Sequence, residues 1–195
     1  MERAELKRLA KQQIKGNIGI LFVITLLVGL IGGLVGMIPV GGLIASIVVT
    51  PAFALAQINI YLRLTKGQKP AVGDLFSEFS NFWAAFKVTF LMGLFTFLWT
   101  LLFYIPGIIK TLSYSQSMYI LAENPEMGAL EAISRSKEMM KGHKWELFVL
   151  NLSFFGWGLL GVLTLGIAFI WIVPYMNATL ANFHNSINSE AVVEG

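Results

Sequence analysis

The stretch IGILFVITLLVGLIGGLVGMI, Ile18 to Ile38, decides the class of fold. It holds no charged residue, and Thr25 is its only hydroxyl. A helix crosses a hydrocarbon core of roughly 30 Å with about 20 predominantly apolar residues, so this run is a membrane span in length and character. The basic stretch before it, Met1 to Lys15, gives the outline of a signal peptide. The apolar run is too long for an h-region and lacks a convincing A-x-A site, which makes it a retained first span.

The same pattern recurs along the chain. After a turn at Pro39–Gly42 comes Leu43–Leu64, whose strongly polar members are Gln57 and Asn59. A third span, Phe82–Ile105, breaks at Pro106-Gly107, and a fourth runs Ile108–Glu123. At a rise of 1.5 Å per residue the fourth reaches only about 24 Å. It must thin the bilayer, end in the interface or gain height from the Pro106 bend. A fifth, Glu146–Leu163, turns at Thr164-Leu165-Gly166 into a sixth, Ile167–Ile187, which Pro174 should kink. The expected fold is therefore all-α and polytopic, with six transmembrane helices as three hairpins in one membrane domain.

Composition agrees with this. Of 195 residues, 56% are hydrophobic and 13% charged, about half the charged share of a soluble domain. The net charge of +3 is small, and Lys and Arg gather in the N-terminal stretch and in segments 63–69 and 135–144, with Lys87 and Lys110 isolated. The tight turns carry no charge. By the positive-inside rule both termini and the two longer loops lie in the cytoplasm, and the localisation is a cell membrane. A nucleic-acid surface would need a broad basic face, which is missing. With no cysteine, disulfides, thiolate nucleophiles and Cys-based metal sites are excluded.

The charged stretches have helical periodicity. In the first, Leu6, Leu9, Ala10, Gln13 and Ile14 share one face and Arg3, Lys7, Arg8, Lys11 and Lys15 take the rest, the pattern of a helix in the headgroup plane. Leu75, Phe76, Phe79, Phe82 and Trp83 suggest a second such helix over 73–83. A third is expected from Asn124 as N-cap and Pro125 at the first helical position, with Glu131 and Arg135 spaced to pair and Gly142 ending it. Each hairpin is thus preceded by an amphipathic interfacial helix, and the chain reads as repeats 1–64, 73–123 and 124–187, aligned on Pro51, Pro106 and Pro174. Lys7, Lys11, Lys15, Lys141, Lys144 and Trp145 are the candidate lipid contacts, favouring anionic lipid; the bilayer is the expected partner, with a protein partner possible on the cytoplasmic face.

Polar side chains in a bilayer are costly unless they face protein or water. They concentrate on the returning helix of each hairpin: Gln57 and Asn59; Lys110, Thr111, Ser113, Tyr114, Ser115, Gln116, Ser117 and Tyr119; Asn177, Thr179, Asn182, His184 and Asn185. Two readings stay open, a central polar pathway or hydrogen bonding between helices. Lys110 stands at the positive dipole end of a short helix and needs compensation, by snorkelling outward or by holding an anionic group beside Tyr114. His143 and His184 have no metal-ligand spacing, and no nucleophile elbow, phosphate loop or paired acids occur in an apolar span. No catalytic residue, cofactor or metal site is expected. Gly29, Gly32, Gly33 and Gly36 are spaced for close helix packing, as are Gly156, Gly158 and Gly161.

The segments MKGHKW (140–145), LSFFGW (152–157), LTLGI (163–167) and PYMNAT (174–179) resemble the domain-of-unknown-function 975 family of bacterial integral membrane proteins, with a more distant similarity to the membrane-anchor domain of some glycerophosphodiesterases. The resemblance implies a multi-pass membrane protein typical of Gram-positive bacteria and brings no catalytic residues. At His184 the family commonly has Tyr after Phe183, which argues against a functional histidine. Two functions compete: a non-enzymatic accessory, scaffold or envelope component engaging lipid and a partner, or a small-solute transporter or channel using the polar returning helices.

Overall fold

The apolar periodicities become helices in the computed structural model, which describes residues 2–38, 41–102 and 104–194. Helix α1 spans Arg3–Ile14 and α2 Ile18–Gly36, joined by a corner at Gly16, whose φ of +85° suits a residue without a Cβ. There follow α3 (Gly41–Thr65), α4 (Asp74–Ser77), a 3₁₀ turn (Glu78–Asn81), α5 (Phe82–Leu102), α6 (Tyr104–Tyr114), α7 (Ser117–Glu123), α8 (Ala129–Met139), α9 (Lys144–Leu152), α10 (Phe155–Leu163) and α11 (Phe169–Glu194). No strand occurs among the described residues. The turn expected at Pro39–Gly42 falls partly outside them, at residues 39 and 40.

Six spans were expected, and three stretches among the described residues are long and apolar enough to cross a membrane: Ile18–Gly36, Asp74–Leu101 and Lys144–Leu163. The returning helices differ for physical reasons. Helix α11 is diluted by Asn177, Asn182, His184 and Asn185, and α6 and α7, of 11 and 7 residues, are separated by a turn at Ser115-Gln116. Helix α3 has 25 residues, and from Pro51 to Leu64 most of it is covered by protein.

Two interfacial helices also depart from expectation. Over 73–83 there is a single α-turn and a 3₁₀ turn leading directly into α5, and Phe76 and Phe79 cluster with Phe53 at centroid distances of 6.2 and 5.3 Å. The third begins later than expected: Asn124 caps the C-terminus of α7, and Gly128 stands at the N-cap of α8. Glu131 and Arg135 form no ion pair; Glu138 pairs with Lys141.

Burial divides the molecule into two ends. At one, α1, α8, the second halves of α3 and α11, and α7 enclose the core, from Leu6 and Ala10 through Ile60, Leu121 and Met140 to Ile187. At the other, α2, α5 and α10 present Leu30, Leu34, Phe97, Leu101, Val162 and Leu163 outward. Water would not tolerate so much contiguous apolar exterior on a stable monomer, whereas hydrocarbon favours it. The exposed basic residues Arg3, Arg8, Lys11, Lys15, Arg63, Lys66, Arg135 and Lys141 belong to the packed end or its rim.

The glycine expectation is largely overturned. Among the described residues, a Cβ on Gly29, Gly32, Gly33, Gly36, Gly156 or Gly158 would have no atom within 4 Å, so no close backbone approach is seen at these positions. Gly161 does pack closely, under the Phe169 ring. Gly107 is closer still to its neighbour: a Cβ there would strike the Thr100 side chain and lie 3.1 Å from its Cα, fixing how α6 folds back on α5. Gly107→Val is expected to cost about 1–3 kcal/mol of stability through this clash. A melting temperature in mild detergent equal to that of the wild type would refute the close approach.

Candidate functional site

The returning helices α3, α7 and α11 converge at the packed end, and their last turns bring polar side chains together. His184 of α11 is fully buried. Its Nδ1 lies 3.0 Å from Gln116 Oε1, its Nε2 3.3 Å from Glu123 Oε2, and its ring stacks on Tyr119 with centroids 5.1 Å apart. Both ring nitrogens therefore have an oxygen partner on α7 or at its start. Glu123 also accepts from Asn188 Nδ2 at 3.2 Å and has Lys66 Nζ 4.0 Å from its other oxygen. Asn185 Nδ2 donates to Thr65 Oγ1 at 2.8 Å, tying α11 to the end of α3.

Gln116 occupies this place because the chain leaves helical hydrogen bonding at Ser115-Gln116. The freed groups are taken up by Ser136 of α8, whose hydroxyl donates to the Ser113 carbonyl at 2.8 Å and accepts the Gln116 backbone N–H at 3.2 Å. One buried serine thus closes the break between α6 and α7.

On the other side of α11, α1 docks through Leu6, Ala10 and Ile14, all buried. The Gln13 and Asn182 amides bond reciprocally, at 3.0 Å and 2.6 Å. Lys7 reaches Ser153 Oγ at 2.6 Å and lies 4.5 Å above the Phe154 ring. Partial burial, then repulsion from Lys11 and Arg3, holds this ammonium below the usual lysine range. The apolar face of α1 is therefore covered by protein, and its outer face carries the charge.

Of the expected polar interior, Gln116 joins the histidine cluster, Ser113 contributes its carbonyl, and Asn182 pairs with Gln13. Most of the others stay apart. Tyr114 is buried against Phe95, and the Ser117 hydroxyl is buried without a hydrogen-bond partner among the described residues. Gln57 and Asn59 are half-buried on α3, and Asn177 approaches the buried Tyr61 hydroxyl without closing a hydrogen bond. Lys110 Nζ lies 4.4 Å above the Trp99 ring, a cation–π contact that compensates part of its charge. Among the expected lipid contacts, Lys11, Lys15, Lys141 and Trp145 are exposed, whereas Lys7 and Lys144 are half-buried.

The sequence places His184 among the polar residues of the last returning helix and Gln13 on the inner face of the first helix, whereas Glu123 and Ser136 are not singled out by it. A signal existed: Asn177, His184 and Asn188 share one face of α11, and Gln116 and Glu123 one face of their segment, at helical spacing. Chemically, the cluster joins helices.

Fold and site together define an all-helical protein with three stretches long and apolar enough to cross a membrane and a packed, charged end closed by a histidine–carboxylate cluster. The chain belongs to the family described as "Protein of unknown function (DUF975)", whose model matches residues 1–113 and 101–191. No curated protein and no solved structure matches it.

Proposed function

We propose that the chain is a non-enzymatic multi-pass protein of the cell membrane, an accessory or scaffold component whose packed end is a cytoplasmic platform for anionic lipid and a protein partner. Six crossings form three hairpins, α2 with α3, α5 with α6–α7, and α9–α10 with α11, and both termini lie in the cytoplasm. The observation that carries this reading is the pairing of the buried polar groups with one another, Gln116–His184–Glu123 and Gln13–Asn182, while basic side chains surround the same end. Side chains engaged with each other stiffen a platform; a transport route needs polar groups left for the solute.

Two measurements test it. Because the chain lacks cysteine, single cysteines at Gln68 and Lys141 on the platform and at Met37 and Leu165 on the hairpin tips report topology directly. An impermeant thiol reagent should label the tips on intact cells and the platform only after permeabilisation; platform labelling on intact cells overturns the orientation. Proteoliposomes should show no solute flux above empty vesicles. Flux that disappears in Lys110→Ala would transfer the assignment to the transporter reading.

A further inference from the structure

We infer that the corner between α1 and α2 forms, with α10 and α11, a discrete site for one anionic phospholipid, its phosphate at Lys11 and Lys15 and an acyl chain in the groove beside them. This rests on the lipid-engaging platform proposed above and locates its specificity.

The groove has a volume of about 270 Å³. Its floor is Ile172 and Tyr175, both buried, and its walls include the half-exposed Trp157 and Trp171. Lys11 and Lys15, four residues apart on one face of α1, stand at its mouth, with Lys11 Nζ 5.6 Å from the centroid of the Tyr175 ring. Among the described residues neither lysine has a carboxylate partner. Arg8, on the same helix, is by contrast paired with Glu5 at 4.0 Å and does not line the groove.

This distribution selects the chemistry of the occupant. A peptide would need hydrogen-bonding partners along its length, whereas here cationic groups stand at one end and aliphatic and aromatic surface makes up the rest. The complementary molecule is an amphiphile with an anionic head. The groove also lies where α1 passes into the apolar α2, the level at which a phospholipid changes from headgroup to chain. Lipid tails gain little by leaving other tails for apolar side chains, so discrimination between lipids comes from the two lysines. Two basic side chains at a membrane surface favour an anionic over a zwitterionic lipid by about 30-fold.

The walls supply the reporter. Replacing Trp83, Trp99 and Trp145 with Phe leaves Trp157 and Trp171 as the fluorophores, since the chain has five tryptophans. The full-length protein is reconstituted in zwitterionic vesicles containing increasing fractions of either an anionic or a zwitterionic phospholipid brominated on its acyl chains, and quenching gives the relative association of each lipid. The expected result is a preference for the anionic lipid of at least about tenfold, lost in the Lys11→Gln/Lys15→Gln double variant and kept in Arg3→Gln/Arg8→Gln. Equal quenching by both lipids in the otherwise wild-type protein, or a preference that survives loss of both lysines, overturns the site. A preference lost only with Arg3 and Arg8 also overturns it, while leaving a diffuse basic platform in place. Native mass spectrometry separates the two levels further: anionic lipid retained by the wild type without the tryptophan signature removes the groove alone, and no anionic retention removes the lipid platform as well.

Discussion

His184→Ala is expected to destabilise the protein by about 3 kcal/mol, in the range found when one partner of a buried charge-assisted pair is removed. The substitution deletes a fully enclosed ring together with its two contacts, to Gln116 at 3.0 Å and Glu123 at 3.3 Å, and the stacking on Tyr119. Glu123 would keep Asn188 and the nearby Lys66, which limits the loss by leaving its carboxylate partly solvated and partly bonded. Because the cluster joins α7 to α11, the effect should appear as earlier cooperative unfolding in mild detergent, followed by helical circular dichroism against denaturant. A double-mutant cycle with Glu123→Gln should give a coupling of about 1–3 kcal/mol, as residues in one network do. A loss below about 0.5 kcal/mol in His184→Ala, the range of ordinary surface substitutions, would show that the cluster does not hold these helices together.

Leu6→Ala should be comparably costly, about 2–5 kcal/mol, the range for truncating a buried leucine. Leu6 is 1% exposed at the interface of α1 with the packed end, next to Ala10 at 0%. If α1 lay in the headgroups with its apolar face in lipid, the same change would weaken membrane contact and leave bundle stability unaltered. Denaturant unfolding in detergent distinguishes the two, and limited proteolysis after Lys7 and Arg8 gives a second readout, since an undocked α1 is cleaved sooner. Stability unchanged within about 0.5 kcal/mol would return α1 to the lipid interface.

Helix α1 also shows how far periodicity carries. Its 3.6-residue pattern made an amphipathic helix legible, and the helix is present from Arg3 to Ile14. The same pattern is silent on what covers the apolar face, because lipid and protein are equally apolar coverings. Elsewhere local rules misled. The Asn124-Pro125 pair has the chemistry of a helix start, yet the Asn124 N–H and side chain both bond back to the Ile120 carbonyl and close α7 instead. The glycines of α2 have the spacing of a packing seam, but among the described residues no atom comes within 4 Å of a Cβ placed on them, whereas Gly107, in no such pattern, meets Thr100.

Composition and periodicity by themselves determined that this is an all-helical chain with apolar stretches long enough to cross a membrane and segregated basic charge, because apolar run lengths and helical periods are written residue by residue. Membership of the family was also legible, in the 129–183 region. Which polar residues meet is a matter of how the helices pack. Gln116 and His184 are 68 positions apart and Gln13 and Asn182 169 apart. Their pairing depends on where the returning helices converge and on the break at Ser115-Gln116 that Ser136 seals. A sequence states that a polar side chain exists and which face of its helix it occupies; whether that face meets lipid, water or another polar group is a property of the packed chain.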